Sequence, residues 1–65
     1  MQVKNMVYKK GMDSAAFEVR RRKNIVKIDF WKDTEFQYQV ECEMKKGTEI
    51  LKGLLKDGYV EAFWI

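Results

Sequence analysis

"EFQYQVECEM", Glu35 to Met44, alternates without a break over ten residues. Phe36, Tyr38, Val40, Cys42 and Met44 take one parity; Glu35, Gln37, Gln39, Glu41 and Glu43 take the other. Side chains that point alternately to opposite faces give a period of two, so this stretch is a β-strand with one face packed and one solvated. A helix would scatter the same apolar residues around its circumference.

Working outward toward the N-terminus, "NIVKIDFW" (Asn24 to Trp31) repeats the pattern, with Val26, Ile28 and Phe30 inward and Ile25, Lys27, Asp29 and Trp31 outward. "SAAFEVRR" (Ser14 to Arg21) sets Ala15, Phe17 and Val19 inward and Ala16, Glu18 and Arg20 outward. The connections Arg22-Lys23-Asn24 and Lys32-Asp33-Thr34 are short and polar, and Asn24 tolerates the left-handed backbone of a tight turn. These strands predict an antiparallel meander. Pairing Phe17 with Ile28 and Val19 with Val26 places Glu18 opposite Lys27, whereas a two-residue slip opposes it to Asp29. Cross-strand pairs contribute roughly 0.2–1 kcal/mol, which favours the first register.

Toward the C-terminus the period changes after Lys45-Lys46-Gly47. "TEILKGLLKDG" predicts a short helix with Thr48 as N-cap, Ile50, Leu51, Leu54 and Leu55 on one stripe, and Asp57-Gly58 as its stop. Gly53 inside that helix costs ~1 kcal/mol relative to alanine unless close packing requires it. "YVEAFWI" predicts a closing strand with Val60, Ala62 and Trp64 on one face and Trp64 in the core. "QVKNMVYK" predicts a further, edge strand. The expected fold class is α+β: a single small domain over residues 1–65, a three- to five-stranded antiparallel meander with one short helix packed on one face, in the order (β)βββαβ. Successive hairpins followed by a helix resemble the element order of single-stranded-DNA-binding transcription coactivators. The final strand departs from that order and no motif is shared, so no residue role follows.

Composition narrows the chemistry. The 65 residues include one cysteine, no histidine and no proline, which excludes an internal disulfide and histidine-based zinc sites. General acid–base catalysis near neutrality usually recruits histidine, and the remaining nucleophiles, Ser14, Thr34, Thr48 and Cys42, have no evident base. Cys42 belongs to the apolar face of the alternating strand, where a thiol is buried and inert. No glycine-rich phosphate loop or calcium-loop spacing is present among the four glycines and ten acidic residues. A non-enzymatic binding protein, with neither cofactor nor metal, is the expectation. No apolar run approaches the ~20 residues of a membrane span, and "MQVKNMVYKK" has no apolar core of signal-peptide length, so a cytoplasmic location is expected.

Charge is polarised. Residues 1–32 carry nine Lys and Arg against three Asp and Glu, and residues 33–65 carry four against seven. The basic half holds four consecutive cations, Arg20, Arg21, Arg22 and Lys23. Alternation places Arg20, Arg22 and Lys27 outward with Trp31, leaving Arg21 and Lys23 at the turn. Cations beside an exposed aromatic on a sheet suit a nucleic-acid strand, the backbone held by charge and the bases by stacking worth ~1–3 kcal/mol each. Arg20, Arg21, Arg22, Lys23, Lys27 and Trp31 are therefore the expected nucleic-acid footprint, single strands favoured, with Lys9 and Lys10 extending it.

Two readings compete with it. Lys and Arg also keep a hairpin tip soluble, and Glu35, Glu41 and Glu43 on the neighbouring strand would repel a phosphate backbone. Ile25, Trp31, Tyr59 and Phe63, outward or half covered among mixed charges, fit instead a protein–protein module. A small inhibitor or adaptor of mobile-element or phage type would dock in this way, by a sheet face or an edge strand. Homodimerisation through an open edge or "AFWI" is compatible with either partner.

Overall fold

The computed structural model describes residues 2–65. Strands β1 (Met6–Lys10), β2 (Asp13–Arg20), β3 (Ile25–Lys32) and β4 (Glu35–Glu43) are followed by helix α1 (Met44–Asp57) and strand β5 (Val60–Trp64). The five strands form one antiparallel sheet in the order β4-β3-β2-β1-β5, and the helix lies on one face, chiefly against β3 and β4. The α+β meander with a single helix is thus the architecture.

The β2–β3 register is the one that charge pairing favours: Phe17 opposes Ile28, Val19 opposes Val26, and Glu18 opposes Lys27. Asn24 takes the left-handed backbone, φ 55°, closing a turn of 3-10 helix over Arg21–Lys23. Arg22 therefore leaves the sheet and stands in the turn, where strict alternation had placed it on the outer face. In the β1–β2 turn, Gly11 supplies a positive φ at the first of two connecting residues, as tight hairpins require.

β1 is interior, between β2 and β5, and not an edge strand. Met6, Val7 and Tyr8 are all buried, so both faces of this strand are covered. A strand covered on both sides reads as a continuous apolar run and not as an alternation. Its N-terminal extension is tied to β2 and the turn that follows it. The Val19 amide donates to Asn5 Oδ1 at 2.7 Å, and Arg21 Nη2 donates to the Val3 carbonyl at 2.9 Å, holding the fully buried Val3 in the core.

That core contains Val3, Met6, Tyr8, Ala15, Phe17, Val26, Ile28 and Leu51, with Tyr8 and Phe17 edge-to-face at 5.3 Å. The helix starts four residues before its expected N-cap. Glu43 precedes it in extended backbone, Asn24 Oδ1 accepts from the Met44 amide at 3.4 Å, and Thr48 Oγ1 donates back to the Met44 carbonyl at 3.0 Å. Thr48 therefore lies inside the helix. Lys45-Lys46-Gly47, after which the sequence period changes, is already helical, and Gly47 allows the helix to press against Val26. A Cβ at Gly47 would come within 2.9 Å of a Val26 methyl group. Gly53 has open space around it, so packing does not account for that glycine. At the other end Gly58, φ 111°, donates to Leu55 at 3.2 Å and Tyr59 donates to Leu54 at 3.0 Å, a Schellman-type stop.

Two bulges change which side chains share a face. Between β3 and β4, Phe30 opposes Tyr38 but the adjacent Trp31 opposes Phe36. The extra residue, Gln37, shifts Phe36 out of phase with Tyr38. Between β1 and β5, Val7 opposes Phe63 while Tyr8 opposes Glu61, which makes Ala62 the extra residue. Val60, Ala62 and Trp64 accordingly do not form one face.

Trp64 is 66% exposed and lies outside the core, contrary to expectation. It pairs with Met6 at the margin of the sheet, away from β3 and β4 where the helix mainly packs, and Lys4 Nζ stands over its ring, 4.9 Å from the centroid. The apolar face of β4 is packed only at its Val40–Cys42 end, and Tyr38 remains exposed although it stacks on Phe30 at 4.9 Å.

Candidate functional site

The six residues of the expected nucleic-acid footprint occupy three places. Arg20, Arg21, Arg22 and Lys23 gather at the β2–β3 corner. Arg20 is paired with Glu18, Nη2 to Oε2 at 2.6 Å, and Arg21 is committed to the Val3 carbonyl. Lys27 stands mid-strand between Glu18 on β2 and Glu41 on β4. Trp31 lies toward the opposite end of β3, six residues from Ile25, or roughly 20 Å at ~3.3 Å per residue. The fold thus keeps the arginine corner together and separates it from the aromatic platform. Lys9 is on the face and in the row of Trp31, whereas Lys10 points to the helix side and pairs with Asp57 at 3.2 Å.

Around Trp31 the register assembles a different surface. On the face away from the helix, one row across the sheet reads Val60, Lys9, Ser14, Trp31, Phe36, and the next reads Phe63, Val7, Ala16, Asp29, Gln39. Trp31 and Phe36 meet edge-to-face with ring centroids 5.4 Å apart, and they are 37% and 48% exposed. Val60 and Phe63, on the β5 side, are 62% and 58% exposed. Met12 is at the same end, because its carbonyl accepts from the Asp33 amide at 2.7 Å and so joins the two turns. Phe36 and Val60 were not legible as members of this surface, since each bulge rephases one flank. The run "YVEAFW", with a single charge, was the available signal for β5.

The reactive inventory is quiet. Burial pushes the Cys42 thiol above its ordinary pKa, Lys46 opposing this only in part, and the side chain packs against the core. Burial also raises the Tyr8 phenol, and burial first, then Asp13 and Asp57, raises Tyr59. Lys4 donates to Glu61 at 2.7 Å, which raises its ammonium pKa. Among the described residues no group of three metal-ligating side chains gathers, and no helix is long and apolar enough to cross a membrane.

No known family model matches the chain, and no curated protein or solved structure matches it. The functional reading therefore rests on the surface geometry.

Proposed function

We propose that the chain is a non-catalytic binding protein of the cytosol that docks a polypeptide through the aromatic end of its outer sheet face. The observation that carries this reading is the gathering of exposed Trp31, Phe36, Val60 and Phe63 on one face, with Val7 and Ala16 between the two flanks. Protein interfaces concentrate binding energy in aromatic side chains, and in the two rows across this face the charges among them are Lys9 and Asp29. The rival ligand, nucleic acid, draws less support. Two of its six expected contacts are engaged within the fold, and the cationic corner lies away from the stacking surface.

The test pairs two measurements. Labelled single-stranded and duplex oligonucleotides are titrated by fluorescence anisotropy at two salt concentrations. Crosslinking capture of polypeptides is run in parallel with the wild-type chain, Trp31→Ala/Phe36→Ala and Arg22→Glu/Lys23→Glu. The expected result is no salt-sensitive oligonucleotide binding, with a captured polypeptide that the aromatic double variant loses and the charge-reversed variant retains. Salt-sensitive binding that quenches tryptophan emission and is weakened by the charge reversal would overturn the reading in favour of nucleic acid.

A further inference from the structure

We infer that β5 is a self-pairing edge whose partner is a second copy of this chain, joined antiparallel about a two-fold axis. This rests on the reading that the ligand is a polypeptide, and it assigns that polypeptide for one edge of the sheet.

An exposed edge strand offers unpaired backbone N–H and C=O groups to any other strand, and folded proteins usually blunt such an edge with charge. β4 is blunted in this way: Glu35, Glu41 and Glu43 lie along nine residues. Antiparallel self-pairing of β4 about its central Gln39 would oppose Glu35 to Glu43, a like-charge contact. β5 is short and bulged at Ala62 but carries no such row of charge. All five of its residues are exposed, and its one charge, Glu61, is already met by Lys4 at 2.7 Å.

The bulge at Ala62 supplies complementarity. In an unbroken strand Val60 and Phe63 would project to opposite faces and could not oppose one another across a ladder. Because Ala62 is the extra residue against β1, both stand on the outer face, opposite Lys9 and Val7. An antiparallel pair centred between Glu61 and Ala62 then sets Val60 opposite Phe63 of the second copy, and Phe63 opposite its Val60. Glu61 opposes Ala62, so no like charges meet. The contact is isologous and closes after two copies, as a two-fold requires. It joins the two sheets edge to edge with both outer faces on the same side, bringing the Val60–Phe63 flanks of the two copies together.

Sedimentation equilibrium of the full chain over a wide concentration range is the test, with hydrogen exchange followed amide by amide in the unsubstituted protein. The expected result is a monomer–dimer equilibrium in which protection of β5 amides rises with concentration and that of β4 amides does not. Val60→Lys, with its fold checked by circular dichroism, should weaken the dimer roughly tenfold or more, because the substitution acts twice across the axis. Trp31→Ala/Phe36→Ala should leave the dimer intact. A chain that stays monomeric at every concentration overturns the inference and leaves the polypeptide-docking reading standing. A dimer whose β5 protection is independent of concentration, or one lost with Trp31 and Phe36, places the contact elsewhere and overturns it equally.

Discussion

The two edges of the sheet are exposed along their lengths, but they differ in what accompanies that exposure. β4 alternates apolar residues with glutamates and glutamines, runs directly into α1, and has its Val40–Cys42 end covered by that helix. β5 holds Val60, Ala62, Phe63 and Trp64 with a single carboxylate, lies beyond the part of the sheet on which the helix mainly packs, and borrows its cover from Lys4. The glutamates of β4 thus solvate its ladder even though Phe36 and Tyr38 stay exposed on it, whereas β5 leaves its apolar side chains with little charge beside them. Exposure alone does not mark an interaction surface, since scattered apolar residues are normal on proteins. Exposure together with a ladder edge that carries little charge does.

The comparison is most severely tested where the helix meets β3 beside β4. Gly47→Ala should destabilise the fold by about 1–2 kcal/mol, because overpacking against the stiff, buried Val26 outweighs the gain in helix propensity. Urea denaturation measures this, and an unchanged midpoint would mean that the helix is not seated tightly over the β4 side. The same substitution six residues later should have the opposite sign. Gly53 has nothing within reach of an added methyl group, so Gly53→Ala should raise stability by ~0.5–1 kcal/mol.

Removing the guard from the other edge sharpens the contrast further. Glu41→Val/Glu43→Val should give β4 a concentration-dependent self-association that the native edge lacks, visible as larger species by light scattering.

The smallest effect concerns pH and falls mainly on the β1–β5 side. Tyr8 and Tyr59 have phenol pKa values raised above 10.0, and Lys4 has an ammonium pKa raised above 10.5. In each case the folded state binds its proton more tightly than the unfolded chain does. Their contribution is therefore complete below about pH 10 and is lost as pH rises through the folded-state values. Thermal melts should show an alkaline fall in stability that Tyr8→Phe makes shallower; an unchanged alkaline limb in that variant would remove Tyr8 from the account.

Much of the fold was legible because it depends on local periodicity. The alternation of residues 38–43 and 25–31, the turn at Asn24 and the stop at Gly58 all appear in the structure, whereas the Gln37 bulge breaks the pattern at Phe36 and Met44 already belongs to the helix. The β2–β3 register was legible for a related reason, since the observed pairing opposes Glu18 to Lys27 where a two-residue slip would oppose it to Asp29. Legibility failed where a side chain's surroundings come from a distant strand. Met6-Val7-Tyr8 reads as a weak edge until β5 returns to its open side. The helix start moved from Thr48 to Met44 because Asn24, twenty residues earlier in the chain, receives the Met44 amide.

The candidate site divides along the same line. The sequence by itself determined the element types, the position of the cationic corner and the outward parity of Trp31, because strand parity and turn chemistry are properties of neighbouring residues. Only the tertiary structure decided that Phe36 joins Trp31 and that Val60 and Phe63 share a face. Those outcomes depend on one extra residue in each outer strand, Gln37 and Ala62, and on which strand each opposes. A bulge is a mismatch between two strands, and neither strand's own pattern contains it.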